Sequence, residues 1–278
     1  MKQEKRHLIQ LVAAVATNAN IKGFLTGTIW RGKSKSVCVP GLNCYSCPGA
    51  LGACPIGSLQ NALSGNRQGL PYYTIGILVL FGVLFGRLIC GFLCLFGFVQ
   101  DLLYKIKTPK IKIPERADRI LRYLKYVVLL VFVIALPFLI RDDFGLGDPW
   151  FCKYLCPAGT LEAGIPLVIG NPALRSMVGF LFSWKMLLLV IFMVSSIFIY
   201  RPFCKYVCPL GAFYGLFNRI SFYRLNVDRK KCIDCKKCEA VCPMNVKVLK
   251  DINSCECIRC GACGQACPVQ AIQKRIGK

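Results

Sequence analysis

Two stretches near the end of the chain, KKCIDCKKCEAVCPMNV (230–246) and SCECIRCGACGQACPVQAI (254–272), carry the same arrangement of cysteines. Each has the spacing C-x2-C-x2-C-x3-C, and a proline directly follows the last cysteine. The cysteines involved are Cys232, Cys235, Cys238, Cys242, Cys257, Cys260, Cys263 and Cys267. Cysteine thiolates placed so densely along a chain are typical ligands of metal centres. These stretches therefore predict two neighbouring metal centres.

The spacing is the one used in two-cluster bacterial ferredoxins, where three close thiolates hold one 4Fe-4S cluster and the fourth cysteine ligates the other cluster. We therefore predict two clusters with crossed ligands. The first is held by Cys232, Cys235, Cys238 and Cys267, and the second by Cys242, Cys257, Cys260 and Cys263. Zinc is the alternative, but zinc ribbons place two C-x2-C pairs on either side of a longer loop. Cys255 lies outside both runs and is expected to be a bystander thiol.

The composition indicates a membrane protein. Of the 278 residues, 55% are hydrophobic and the mean hydropathy is +0.51, which is too apolar for an ordinary soluble domain. The nineteen cysteines fall in spaced motifs, which suggests metal ligation more than a disulfide scaffold. A net charge of +23 suits anionic lipid headgroups, and no nucleic acid partner is expected because no nucleic acid-binding motif accompanies the charge. The predicted fold class is mostly α: a polytopic membrane helical bundle with a small C-terminal α+β ferredoxin-like domain.

Four apolar segments are long enough to cross a bilayer, which takes ~20 residues. They lie at about 8–30, 71–93, 121–140 and 177–200. We expect a membrane domain over residues 1–220 and a cytoplasmic two-cluster ferredoxin domain over 221–278. Because the loop 105–125 is rich in lysine and arginine, the positive-inside rule predicts that it and both termini are cytoplasmic in a prokaryotic inner membrane. Residues 1–16 also fit a cleaved signal peptide. An amphipathic surface helix is expected over 203–222.

A second motif, C-x3-C, recurs three times in or beside the apolar segments. The pairs are Cys90 with Cys94, Cys152 with Cys156, and Cys204 with Cys208. Residues four apart lie on one face of a helix, so each pair offers two sulfurs on the same side. A residue before proline is pushed out of the α conformation. We therefore expect the helix to end at the second cysteine, which frees its thiolate to bend toward a metal.

On the predicted topology these pairs form two sites. The inner site consists of Cys90, Cys94, Cys204 and Cys208, and four thiolates are what a 4Fe-4S cluster requires. The outer site consists of Cys152 and Cys156 with two partners from Cys38, Cys44, Cys47 and Cys54, of which we favour Cys47 and Cys54. Cysteine is also common in apolar helices as a small hydrophobic residue, which is the alternative for both sites. A disulfide between Cys38 and Cys44 also remains open.

At these residues the chain resembles membrane iron-sulfur proteins of the NapH/NosR type. The matching stretches are GLNCYSCPGA (41–50), ACPIGSLQ (53–60), GRLICGFLCLFGFVQDLLYKI (86–106), FCKYLCPAG (151–159), RPFCKYVCPLGA (201–212) and the two cysteine runs of the tail. The resemblance implies an electron conduit between the quinone pool or cytoplasmic carriers and a periplasmic or membrane-bound reductase. Leu95 stands where the motif has proline, and no large extracytoplasmic flavin-binding domain is present. The outer partner is therefore expected to be another polypeptide or a small carrier.

The sequence thus predicts a membrane-bound protein that relays single electrons among 4Fe-4S clusters, two in the tail and one or two among the helices. The expected partners are the membrane and a soluble ferredoxin or flavodoxin, quinone or a partner reductase. No nucleophile with a neighbouring base, phosphate-binding loop or flavin motif is present, so we expect an electron-transfer subunit without catalysis of its own. The alternatives are a membrane redox sensor or assembly factor whose clusters carry no flux, and a structural subunit held together by zinc.

Overall fold

Short helices make up most of the chain. The computed structural model describes residues 3–65, 71–111, 113–143, 145–176 and 178–277. The helices of the first half are α1 (Gln3–Thr17), α2 (Ile21–Thr26), α3 (Pro55–Ser64), α4 (Tyr72–Phe85), α5 (Leu88–Phe92) and α6 (Leu95–Tyr104), with a 3-10 turn at Lys33–Ser36. Those that follow are α7 (Glu115–Val127), α8 (Leu136–Leu139), α9 (Pro157–Gly159), α10 (Ile165–Gly170), α11 (Pro172–Arg175), α12 (Phe180–Phe198), α13 (Pro202–Tyr206) and α14 (Pro209–Phe217). Three stretches are π-helical: Val128–Ala135, Phe151–Leu155 and Thr160–Gly164.

Two helices are long and apolar enough to cross a bilayer. One runs from Glu115 to Leu139 through α7, the π-helical stretch and α8, and the other is α12. Only 28% and 11% of their most apolar windows are buried, so most of their apolar side chains face outward. The core helix of a soluble protein would bury this surface, because each Å² of exposed apolar area costs about 25 cal/mol. These helices correspond to the predicted spans at 121–140 and 177–200.

The other two predicted spans are not continuous helices. The segment 8–30 is broken between α1 and α2, where the Asn18 and Asn20 amides donate to the carbonyls of Ala14 and Pro48. The segment 71–93 consists of α4, a bend at Gly86 and the short α5. At 1.5 Å per residue α4 covers ~21 Å, which is less than the ~30 Å of a bilayer core. Within the described ranges, two of the four predicted spans are therefore helices of membrane-spanning length.

The expectation of a surface helix over 203–222 is wrong. This segment forms α13 and α14, which bend apart at Cys208 and bury most of their side chains. Lys205 and Tyr206 look like surface residues in the sequence. Both bond to the buried carboxylate of Asp118, the lysine at 2.6 Å and the tyrosine hydroxyl at 2.6 Å, and this pairing offsets the cost of removing them from water.

The C-terminal domain is built from two copies of one unit. Strand β1 (Tyr223–Val227) pairs antiparallel with β2 (Ile272–Ile276), and between them lie α15 (Lys237–Ala240) and α16 (Ala262–Ala266). Six residues with left-handed φ occupy matching positions 25 residues apart, namely Asp234 and Arg259, Lys236 and Gly261, and Asn245 and Gln270. Left-handed residues let a chain turn tightly. The repeated cysteine runs are therefore accompanied by repeated backbone turns that curl each run around its own centre.

Buried polar contacts fix the C-terminal domain to the helices. Asn218, just after α14, accepts a hydrogen bond from the Arg87 amide at 2.8 Å and donates to the carbonyls of Ser254 and Cys257, each at 2.8 Å. The Arg259 guanidinium donates to the carbonyl of the last residue of α4 at 2.8 Å. These bonds cross between the two parts of the chain, so they specify one orientation of the tail.

Candidate iron-sulfur sites

Two pockets in the C-terminal domain are each lined by four cysteines. Tail site 1 is lined by Cys232, Cys235, Cys238 and Cys267. Tail site 2 is lined by Cys242, Cys257, Cys260 and Cys263. Each pocket takes three cysteines from one run and its fourth from the other. The sulfur of the fourth cysteine also accepts a hydrogen bond from a backbone amide. The donor is Val246 at 3.4 Å in tail site 2 and Ala271 at 3.3 Å in tail site 1. Such N–H···S bonds stabilise a ligating thiolate.

The two tail sites differ in their surroundings. Tail site 1 is open to solvent, because Cys235 is exposed and is followed by the exposed Lys236 and Lys237. Tail site 2 faces the helices, because Cys257 and Cys260 pack against the core of the helical part. Tail site 1 is therefore more accessible from solution than tail site 2.

The cysteines of the inner site lie together in the helical core, and each is at most 6% exposed. Their thiols are close enough to act on one another electrostatically. Gln100 donates to the sulfur of Cys204 at 3.1 Å, and the amide of Gly211 donates to that of Cys208 at 3.4 Å. The structure thus brings the two C-x3-C pairs, which are more than a hundred residues apart in sequence, into one group of four thiols.

In each C-x3-C pair the chain bends at the second cysteine, which confirms that part of the sequence prediction. Cys94, Cys156 and Cys208 are extended, with ψ of 117°, 106° and 114°, and each directly precedes a new helix. Leu95 follows Cys94 in place of the usual proline, and the bend is nevertheless the same. In all three pairs a glycine three residues after the second cysteine offers its amide to the cysteine sulfur. The sulfur therefore takes the place of a helix-capping oxygen.

At the outer site Cys44, and not Cys47, joins Cys54, Cys152 and Cys156. The thiols of these four residues lie near enough to one another that negative charges on them would repel. A Cβ added at Gly159 would lie 3.6 Å from the sulfur of Cys44 and 4.0 Å from that of Cys156, so both sulfurs border the same space. The outer site of the structure is therefore Cys44, Cys54, Cys152 and Cys156.

Cys47, which we favoured from the sequence, points elsewhere. Its sulfur lies 3.6 Å from the side-chain oxygen of Asn18. Cys44 and Cys47 are the two ends of a tight turn closed by a hydrogen bond of 3.0 Å between Cys47 N and Cys44 O, and one end faces the outer site. The structure thus favours Cys44 over Cys47. Cys38 is a free thiol whose sulfur lies 3.5 Å from the Ser58 hydroxyl, and Cys44 is also free.

The donors of these four sites fit 4Fe-4S clusters. All nineteen cysteines lie within the described ranges, and each is a free thiol. Among the described residues, no group of three or more His, Cys, Asp or Glu side chains is close enough to hold a single metal ion. Each site offers four thiols, which is the number of ligands that a 4Fe-4S cluster requires.

Sequence reasoning missed five buried charged side chains beside the inner site. Arg201 forms a fork with Asp101 at 2.6 and 2.5 Å, and Arg87 pairs with Glu256 at 2.9 Å, while Lys125 also contacts Glu256. Burial raises the pKa of Glu256, but the charges of Arg87 and Lys125 outweigh it and bring this pKa to about 2, so the carboxylate is ionised. A signal was present in the sequence, since Arg87 and Arg201 each stand three residues before the first cysteine of a pair.

Comparison with protein families assigns the cysteine motifs to known domains. A family described as "4Fe-4S binding domain" matches residues 73–114, 126–165 and 180–229, and each match contains one C-x3-C pair. A second family of the same description matches residues 225–248 and 256–273, which hold the two tail runs. The chain thus carries 4Fe-4S binding domains in both its helical part and its tail.

Curated relatives agree with these domains. An uncharacterized protein of Methanocaldococcus jannaschii is 30% identical over 209 residues, which cover 73% of this chain and 78% of that protein. The putative electron transport protein YccM of Escherichia coli is 25% identical over 218 residues, covering 73% and 56%. The ferredoxin-type protein NapH of Haemophilus influenzae is 29% identical over 168 residues, covering 60% and 51%. No solved structure matches the chain. With these relatives and with 4Fe-4S domains along its length, the chain belongs to the NapH/NosR type of 4Fe-4S electron-transfer proteins.

Proposed function

We propose that this protein sits in the inner membrane of a prokaryote and passes single electrons between cytoplasmic carriers and quinone or a partner reductase. The observation that carries the proposal is the continuity of the four-thiol sites. Cys242 and Cys257 of tail site 2 pack both in the core of the C-terminal domain and against the core that contains the inner site. Charge entering the tail would therefore reach the helices through packed protein.

One residue supports the extension of this route to the outer site. Tyr214 of α14 is fully buried and close enough to Cys90, Cys94 and Cys54 to feel their charge. Its hydroxyl donates to the carbonyl of Pro40 at 3.0 Å, which fixes the ring. Tyr214 thus lies near cysteines of both the inner and the outer site.

We assign four ligands to each of four clusters. The tail clusters take the ligands of tail sites 1 and 2, the inner cluster takes Cys90, Cys94, Cys204 and Cys208, and the outer cluster takes Cys44, Cys54, Cys152 and Cys156. A bound 4Fe-4S cluster supplies reversible one-electron chemistry. The chain itself holds the thiolates, donates amides to their sulfurs and excludes water. It therefore acts as an electron-transfer subunit of an oxidoreductase system, and a partner carries out the chemistry on the substrate.

A membrane location is supported by the outward-facing apolar surface of α12 and of the helix Glu115–Leu139. It is also supported by the bends at Cys94 and Cys208, which are 4% and 3% exposed. Non-helical backbone is tolerated at membrane depth when protein covers it. The proposed topology keeps four crossings, two of them made by broken helices, with both termini and the tail on the cytoplasmic side.

Anaerobic purification in detergent tests the proposal. We expect a brown protein with about sixteen irons and as many acid-labile sulfides per chain, at four irons per cluster. EPR of the reduced protein should show interacting clusters. A reduced soluble ferredoxin should reduce the protein, and a quinone analogue should reoxidise it within the turnover time of respiration. Eight irons would confine the clusters to the tail, and zinc in place of iron would overturn the proposal.

The redox sensor or assembly factor is distinguished by rate. A conduit is reduced and reoxidised repeatedly as long as donor and acceptor are present. A full set of clusters that the quinone analogue or a partner reductase cannot reoxidise would favour the sensor and contradict a role in electron flux.

A further inference from the structure

Two arginines are arranged around the inner site with two-fold pseudosymmetry. Arg87 precedes Cys90 by three residues, Arg201 precedes Cys204 by three residues, and both side chains are fully buried. Each arginine reaches across to the other pair. Arg87 donates to the carbonyl of Cys204 at 3.0 Å, and Arg201 donates to the carbonyl of Cys90 at 2.5 Å. The two guanidinium groups thus tie the two halves of the site together.

Two glycines make room for these guanidinium groups. A Cβ added at Gly211 would lie 3.2 Å from Nη2 of Arg87, and one added at Gly97 would lie 3.2 Å from Nη1 of Arg201. These are the glycines that also offer their amides to the sulfurs of Cys208 and Cys94. At the inner site, the glycine of each C-x3-C motif therefore leaves space for the arginine from the other half.

The counter-charges follow the same symmetry. Arg201 pairs with Asp101, which also pairs with Arg6 at 3.0 Å. Arg87 pairs with Glu256, which also pairs with Lys125. Each group holds two cations and one carboxylate, so each keeps one net positive charge in the low-dielectric core. One carboxylate belongs to α6, whereas the other comes from the C-terminal domain and stands next to Cys257 of tail site 2.

We infer that Arg87 and Arg201 are positioning residues that hold the two cysteine pairs together and raise the reduction potential of the inner 4Fe-4S cluster, and that Glu256 of the docked tail partly offsets this effect. The inference rests on the proposed inner cluster. Reduction adds one negative charge to a cluster, so fixed cations beside it stabilise the reduced form and a fixed carboxylate destabilises it. Because Glu256 belongs to the C-terminal domain, the packing of this domain on the helices also adjusts the potential of the inner cluster, which follows tail site 2 on the proposed route.

The test is an EPR redox titration of the purified protein, with iron counted for every variant. Arg87→Gln and Arg201→Gln should each move the midpoint potential of the inner cluster to a lower value. Arg87→Lys, which keeps the charge but cannot bond Glu256 and the Cys204 carbonyl through two separate guanidinium nitrogens, should move it less. Glu256→Gln should move it to a higher value. Glu115→Gln is the matched control, because Glu115 also pairs with a tail residue, Lys247 at 3.0 Å, but at the surface.

Opposite shifts in midpoint potential for the arginine and glutamate variants would support the inference. A purely structural role would not make the direction of the shift follow the charge that is removed. If an Arg→Gln variant loses the inner cluster, the midpoint potentials of Arg87→Lys and Glu256→Gln test the inference instead, and a higher potential in Glu256→Gln would support it. Equal potentials in all variants, or shifts in one direction, would overturn the inference while leaving the electron-transfer function intact. If the wild-type protein has no inner cluster and only eight irons, the proposed function itself fails at this site.

Discussion

Asp101 and Arg201 form a fork-to-fork ion pair in the helical core, with Nε to Oδ1 at 2.6 Å and Nη2 to Oδ2 at 2.5 Å. Asp101→Asn would leave the buried guanidinium groups of Arg201 and Arg6 without a counter-charge, and breaking a buried pair costs about 3–5 kcal/mol. We expect a fall of several degrees or more in the thermal unfolding midpoint in detergent. Asp148→Asn is the control, because its pair with Lys153 is about one-third exposed and contributes little. Equal midpoints for the two variants would contradict the prediction.

Replacing Cys44 should lower the iron content of the protein, whereas replacing Cys47, at the other end of the same turn, should not. Cys44→Ser removes a thiol of the outer site and should lower the iron content by about four per chain, with the loss of one EPR signal. Cys47→Ser changes a thiol that faces Asn18 and should leave the iron content unchanged. Iron and sulfide analysis after anaerobic purification checks both. A loss of iron in Cys47→Ser alone would return the assignment to Cys47.

The Asn218 side chain should hold the tail in place. Asn218→Ala removes three hydrogen bonds and leaves buried groups of Arg87, Ser254 and Cys257 unpaired, at roughly 1–3 kcal/mol for each buried group left unsatisfied. We expect faster hydrogen exchange at the base of β1 and easier proteolysis between the helices and the tail. Asn226→Ala, at an exposed position of β1, is the matched control and should behave as the wild type. The prediction fails if both variants are equally protected.

The lysines beside tail site 1 should recruit an acidic donor. Lys236→Glu with Lys237→Glu reverses two charges next to the exposed Cys235. Because fixed charges steer association, the rate constant for reduction by soluble ferredoxin should fall at least tenfold at low salt and converge with the wild type at high salt. Lys22→Glu, in α2, is a control that should not change the rate. Stopped-flow mixing at several ionic strengths makes the comparison, and a fall that is independent of salt would refute steering.

Short-range spacing predicted much of this structure. The bend at the second cysteine of each C-x3-C pair follows from local backbone preferences, and the repeated tail runs carry repeated turns. Two of the predicted spans, 8–30 and 71–93, are not single continuous helices: the first is interrupted at Asn18 and Asn20, and the second bends at Gly86.

Apart from the grouping of Cys90 and Cys94 with Cys204 and Cys208, the long-range contacts of the site were not predicted. The choice between Cys44 and Cys47 depends on which end of a tight turn faces α9, and both ends have the same residue type. Arg87 and Glu256 are 169 residues apart, so their pairing exists only once the tail is docked. Lys205 was misinterpreted as a surface residue for the same reason, since Asp118 comes from a distant helix.

Leu95 also affects how such proteins can be recognised and altered in evolution. The chain turns at Cys94 as it does at Cys156 and Cys208, although proline is missing. The shared ingredient is the glycine three positions later, which serves the sulfur and, at the inner site, the arginine from the other half. A database pattern built on Cys-Pro would overlook one motif in three, whereas one built on arginine, two cysteines and that glycine would recover both halves of the inner site. Replacement of the proline therefore leaves the bend intact, whereas replacement of the glycine would place a side chain against the arginine of the other half.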